Sequence, residues 1–277
     1  MASFDVELVG KIGSMALIRR EENDIDYNIF SRLGSQLHPG IIWVSSGATE
    51  IGRLDYLRRN NGKELSSENI DEIKTDYAAQ GQAILMENYR RFIAPHYSVR
   101  QFLVEHSHFN DPEKREYIRR ALLRCTAQNA IPIVNYNDPV SCEENRRMEL
   151  NNLKKNGGHI VECIVNDETA AVISELVKAR RLVILTSVDG IYADPADPKT
   201  LIREIAGKDA AELTLNVRAA QEHCRGASRA GANGAYAKLA FMLGPACNGT
   251  EVLIANAKYP LNDILNGTVP RTRIGIR

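Results

Sequence analysis

The sequence predicts an α/β protein with a mainly parallel sheet and helices on both of its faces. Three observations carry that expectation. Six short runs rich in Val and Ile lack the polar alternation of half-exposed strands. Longer helical patterns separate these runs. Loops with small residues or Asp follow several of the runs, where ligands collect in such sheets.

The predicted strands are Phe4–Val9, Gly40–Val44, Ser98–Val104, Ile131–Asn135, Leu182–Thr186 and Glu251–Ala255. The predicted helices are Asp24–Leu37, Ile73–Ala94, Pro112–Asn129, Thr169–Lys178 and Tyr236–Leu243. Glu50–Asn69 is polar and reads as a solvated loop or helix end, and Lys199–Asn216 is similarly polar. The long Ile73–Ala94 helix is the better candidate for a contact between subunits.

The 277 residues are enough for a well-buried core, and one domain spanning 1–277 is expected. Thirty-five basic residues balance thirty-five acidic ones. No global field draws nucleic acid or an anionic membrane, so any anion site must be local. The cysteines Cys125, Cys142, Cys163, Cys224 and Cys247 are odd in number and form no CxxC. They read as free thiols of a cytoplasmic protein. The start of the chain has no basic segment leading a long apolar run, so no signal peptide or membrane span is expected.

Five loops stand out: GKIGS after the first strand, SSGAT after the second, then YNDP, SVDGIYADP and GASRAGANGAYAK. Small residues let backbone amides approach a ligand, and a helix N-terminus adds partial positive charge. Together they point to a phosphorylated ligand. No GxxxxGK[ST], no GxGxxG with its following acid and no GxSxG is present. His106 and His108, in EHSHF, lack an evident third ligand and read as surface or loop residues.

In order, the loops resemble the amino acid kinase family, and within it the glutamate 5-kinases. The resemblance spans nearly the whole chain. VGKIGS matches VVKIGS; Ser45-Ser46-Gly47-Ala48 matches SSGA; Ala78-Ala79-Gln80-Gly81-Gln82 matches AAxGQ. Val134–Asp138 stands for INEND, Val165–Glu168 for GDND, LTSVDGIYADP for LTDVDGLYTADP, and RAGANGAYAKL for GTGGMxTKL.

The resemblance implies a three-layer α-β-α sandwich. It implies an acceptor site in the N-terminal part and a nucleotide site in residues from about 170 to 277. The reaction implied is transfer of the γ-phosphoryl group of ATP to a carboxylate, giving an acyl phosphate. Lys11 and Lys238 match the lysines that supply positive charge, and Glu168 is the positional match for the acid that orients them. Backbone amides near Gly13, Ser14 and Gly47 would cradle the phosphoryl group. Ser46, Gly47, Ala48, Tyr136, Asp138 and Asp167 fall on the acceptor side. Thr186, Ser187, Asp189, Gly190, Tyr192, Ala232, Asn233 and Gly234 fall on the nucleotide side with Lys11, Gly13, Ser14 and Lys238. Mg²⁺ is implied as carried by ATP, without protein ligands. The partners implied are ATP and a small acceptor, with the chain a homo-oligomer. A catalytic domain alone is expected, without the RNA-binding-like PUA domain of many glutamate 5-kinases.

The departures cluster in the loops. Tyr136 replaces a glutamate, Asn166-Asp167-Glu168 replaces Asp-Asn-Asp, Ser187 replaces an Asp, and Gly10 stands where an apolar residue is usual. The glycines flanking Lys11 read as room for phosphate oxygens, though Gly10 has no settled reason. The Asn-Asp-Glu triplet also fits an N-cap for Thr169–Lys178, with Asn166 as the capping residue. Two alternatives stay open. The acceptor is another acid or a nucleoside monophosphate, as in uridylate kinases, or the chain is a non-catalytic binding or storage protein on the same fold.

Overall fold

A computed structural model describes residues 4–141, 143–155, 160–163, 165–224 and 234–277. The strands are β1 (Val6–Ile12), β2 (Ile18–Arg19), β3 (Asp24–Ile25), β4 (Ile41–Ser45), β5 (Ser98–Val104), β6 (Ala130–Tyr136), β7 (Ala179–Thr186), β8 (Ile191–Tyr192), β9 (Leu201–Ile202), β10 (Glu204–Gly207), β11 (Glu251–Asn256) and β12 (Arg271–Ile276). The helices are α1 (Tyr27–Gly34), α2 (Ala48–Arg59), α3 (Ile70–Phe92), α4 (Ser107–Asn110), α5 (Pro112–Ala127), α6 (Glu143–Lys155), α7 (Asn166–Leu176), α8 (Ala210–His223), α9 (Gly234–Cys247) and α10 (Leu261–Asn266). The fold is α/β on a mostly parallel sheet, and all six predicted strands are present.

The chain forms two units. The first comprises Met1–Ile12, Gly40–Val44 and Val165–Arg277; the second comprises Gly13–Pro39 and Ser45–Ile164. In the first, the strand order is β10-β12-β11-β7-β1-β4. β1 and β11 each run parallel to β7, whereas β11 and β12 are antiparallel. Val9, Ile12, Leu182, Val183, Ile184 and Val252 to Ala255 are essentially inaccessible. Burial on both faces explains why these strands read as continuous apolar runs.

Gly10 is explained here by packing. A Cβ on it would lie 2.1 Å from Cζ3 and 2.4 Å from Cε3 of the fully buried Trp43. The missing side chain makes room for an indole, so the reading of Gly10 as space for phosphate oxygens is corrected.

In the second unit β5 and β6 pair in parallel, with Val104 opposite Tyr136. Helices α2 and α3 approach until backbones touch. A Cβ on Gly52 would lie 1.8 Å from the Tyr77 carbonyl oxygen, and one on Gly81 1.8 Å from that of Ala48. This is the local reason for the glycine in AAQGQ. Its neighbour Gln82 donates from Nε2 to the Tyr136 carbonyl at 3.3 Å.

Several boundaries and elements differ from expectation. Glu50–Asn69 is not merely a loop: α2 occupies Ala48–Arg59 and buries Ile51 and Leu54. The helix expected from Asp24 starts at Tyr27, because Asp24–Ile25 pairs with Ile18–Arg19. There Asp26 caps α1, accepting from Asn28 N at 3.0 Å. The polar Lys199–Asn216 holds β9, β10 and the start of α8, which Asp209 caps by accepting from Glu212 N. The Asn166 cap is also corrected. Val165 is the N-cap of α7, and Asn166, Asp167 and Glu168 form its first turn.

Candidate functional site

In the first unit, β1, β7 and β11 are parallel and in register, with Ile12 opposite Leu185 and Asn256 opposite Thr186. Their carboxyl ends therefore lie on one edge, where open α/β sheets bind ligands. Lys11 is one residue from the end of β1 and only 8% exposed. Asp167 belongs to the first turn of α7, whose partial positive charge favours a carboxylate. Lys238 is on α9, close to its start at Gly234.

One carboxylate joins both ammonium groups. Asp167 Oδ1 is 2.7 Å from Lys11 Nζ, and Oδ2 accepts a hydrogen bond from Lys238 Nζ. Side-chain exposures of 10%, 14% and 16% for Lys11, Asp167 and Lys238 place the triad largely out of water. Burial opposes ionisation of Asp167, but the two lysines overcome it and hold its pKa at about 2. Burial lowers the Lys11 pKa; Asp167 opposes that shift and Lys238 adds to it. Two cations and one anion leave a net positive charge at the end of β1.

The expectation gave the orienting role to Glu168. The acid between the lysines is Asp167, expected instead on the acceptor side. Both stand in the first turn of α7, and successive helical side chains diverge by about 100°, so one faces the lysines. The other nucleotide-side candidates lie along the same edge. The Thr186 carbonyl accepts from Ala257 N at 2.8 Å, and that of Ser187 from Asn256 Nδ2 at 3.1 Å. Asp189 pairs with Lys258 at 3.1 Å. A Cβ on Gly190 would meet Thr272 Oγ1 at 2.4 Å, and Tyr192 pairs with Leu201. Gly234 starts α9 with φ +46°. Ala232 and Asn233 lie outside the described residues, as does Cys142.

In the second unit Gly13 precedes a single 3-10 turn, Ser14–Ala16. Gly47 is the N-cap of α2 with φ +108°, followed by Ala48. A Cβ on Gly47 would also meet Leu17 Cδ1 at 2.9 Å, so glycine is required twice over. Ser45 is fully buried; its hydroxyl accepts from Tyr89 at 2.8 Å and donates to the Ser46 carbonyl at 3.0 Å. Asp138 follows β6 in the turn leading to Ser141.

Tyr136 ends β6 and is 3% exposed, so its hydroxyl points into protein. That hydroxyl is 3.4 Å from His106 Nδ1 and 3.1 Å from Ser141 Oγ. His106 is 1% exposed, and its Nε2 is 3.0 Å from Glu149 Oε2. The surface reading of His106 is thus corrected. His108 accepts at Nδ1 from Glu105 N at 2.9 Å. Sequence reasoning missed His106, Ser141 and Glu149; the one available signal was the polar EHSH directly after a predicted strand.

Two solved structures illustrate the similarity of fold. A carbamate kinase from Giardia lamblia, bound to AMP-PNP, superposes with a TM-score of 0.58 at 14% identity, over 99% of this chain and 100% of its own. A UMP kinase from Ureaplasma parvum gives 0.55 at 14% identity, covering 98% of each chain. The α/β fold described above is shared with both of these structures. Residues 8–256 match the Amino acid kinase family, and the chain belongs to that family. A glutamate 5-kinase of Clostridium perfringens is 30% identical over 92% of this chain and 86% of its own. Another, of Enterococcus faecalis, is 32% identical over 94% and 91%.

Proposed function

We propose that the protein transfers the γ-phosphoryl group of ATP to a small carboxylate acceptor, with the γ-carboxylate of glutamate as the first choice. The carrying observation is the buried Lys11–Asp167–Lys238 triad. An acceptor carboxylate oxygen forms a bond to the γ-phosphorus as the bond from that phosphorus to the ADP oxygen breaks. The products are an acyl phosphate and ADP. Phosphoryl transfer asks a protein chiefly for alignment and for positive charge where the moving oxygens become more negative. Lys11 and Lys238 supply that charge, and Asp167 holds both while lowering the cost of their mutual repulsion.

Asp167 directs each carboxylate oxygen to a lysine, which suits it to hold cations of side chains rather than a metal. Mg²⁺ is therefore assigned to the ATP phosphates, where it would supply neutralising charge. Thr186, Ser187, Asp189, Gly190, Tyr192 and Gly234 are assigned to the nucleotide, and Ser46, Gly47, Ala48, Tyr136 and Asp138 to the acceptor. Gly13 and Ser14 are assigned to the phosphates. The full-length relatives are named glutamate 5-kinases, so the nucleoside monophosphate and non-catalytic readings are not favoured.

A homo-oligomer in the cytoplasm is proposed with this activity, from the resemblance and from the free thiols Cys125, Cys163, Cys224 and Cys247. Among the described residues no helix is long and apolar enough to cross a membrane. The test incubates the protein with Mg·ATP and a panel of carboxylates and nucleoside monophosphates in the presence of hydroxylamine. Glutamate-dependent hydroxamate equal to ADP released supports acyl phosphate formation. ADP release only with a nucleoside monophosphate, or none with any acceptor, overturns it.

A further inference from the structure

Two strand ends of the second unit are tied together by side chains from adjacent residues. β5 and β6 finish side by side, Val104 opposite Tyr136. Past these ends, Asn137 N donates to the Val104 carbonyl at 2.9 Å, and Asn137 Nδ2 donates to Glu105 Oε1 at 2.6 Å. One residue past Glu105, His106, the N-cap of α4, reaches back to the Tyr136 hydroxyl. The Asn137 carbonyl accepts from Val140 N and Ser141 N, turning the chain so that Ser141 Oγ meets the same hydroxyl. The turn carrying Asp138 is thereby anchored at both ends.

A buried imidazole between a carboxylate and a phenol has a preferred proton arrangement. A carboxylate only accepts, so Nε2 carries hydrogen toward Glu149, and in the neutral ring Nδ1 then accepts from the Tyr136 O–H. The phenol oxygen is left to accept from Ser141. Each donor in the chain Ser141–Tyr136–His106–Glu149 has one acceptor. The 3.4 Å link is its longest and so its most sensitive to a shift of the ring. Glu149 lies on α6 beside the buried Leu150, so the imidazole also ties α6 to the end of β5.

We propose that His106 is a positioning residue for the acceptor: it orients the Tyr136 hydroxyl and Ser141, and with them the Asn137–Ser141 turn that receives the substrate. This rests on the phosphotransferase reading above and adds to it a residue that does not touch the phosphoryl group. The Nδ1 and Nε2 roles separate by substitution. His106→Asn keeps a polar atom near Nδ1 for Tyr136, while His106→Gln keeps one near Nε2 for Glu149.

The experiment measures kcat and both KM values for wild type, His106→Asn, His106→Gln and Tyr136→Phe, with thermal unfolding of each. The expected result is a rise of about tenfold in the acceptor KM for His106→Gln and Tyr136→Phe, the scale of one lost hydrogen bond. The ATP KM stays within about twofold, and His106→Asn recovers most of the acceptor KM. An unchanged acceptor KM in active variants, or equal shifts of both KM values that follow Tm, overturns the positioning role alone. A wild-type protein with no carboxylate-dependent turnover overturns the phosphotransferase reading, and this role with it.

Discussion

Lys11 Nζ and Asp167 Oδ1 form a 2.7 Å ion pair between the end of β1 and the first turn of α7. Its partners are 156 residues apart in sequence and both largely withdrawn from water. Such a pair is costly to break from one side, because the remaining charge stays buried.

That cost sets a pH dependence. The Asp167 pKa falls from 3.8 to about 2 on folding, so its stabilisation is complete above the unfolded value. It is lost as pH falls from about 4 through about 2, and amounts to about 2 kcal/mol. In Asp167→Asn this component is absent. Urea unfolding of both proteins between pH 5 and pH 2 should show a steeper loss in wild type; parallel curves would contradict the assignment.

Gly10→Ala should destabilise the first unit by about 1–3 kcal/mol, the usual range for overpacking a core. The added carbon has no space beside the Trp43 ring. Trp43→Phe, costly alone, should lose less in the Gly10→Ala background, because the smaller ring leaves room. A double-mutant cycle from denaturant midpoints measures this coupling, and strict additivity would exclude it.

Gly81→Ala should be at least as damaging as Gly10→Ala, at about 3 kcal/mol or more, because its new Cβ meets the backbone oxygen of Ala48. Backbone cannot swing aside as a side chain can. Thermal unfolding and far-UV circular dichroism of the variant check the prediction. A Tm within a degree or two of wild type would show that α2 and α3 separate freely.

The sheet was legible where burial on both faces forced continuous apolar runs, as in Leu182–Thr186. β12 was not, because RTRIGI interrupts its apolar residues with Arg271 and Arg273. Arg273 bonds to Glu251 and Glu204, partners that only the folded chain brings near. α2 was hidden for a different reason: much of its packing is the absence of side chains at Gly52 and Gly81, a matter of shape. At the candidate site, the ordered loops pointed to Lys11 and Lys238 across the length of the chain. They did not distinguish Asp167 from its neighbour Glu168, since spacing alone does not show which way a helix turns its face. Gly10 needed Trp43, and His106 needed Tyr136 and Glu149, before either had a reason.

The most direct measurement is kcat for Mg·ATP and glutamate in wild type, Lys11→Ala and Lys238→Ala, each shown folded by circular dichroism. Wild type should turn over, and each substitution should lower kcat by about 10²-fold or more, the scale of losing a charge that stabilises the transition state. Turnover within a few-fold of wild type in either folded variant would contradict a two-lysine phosphoryl site.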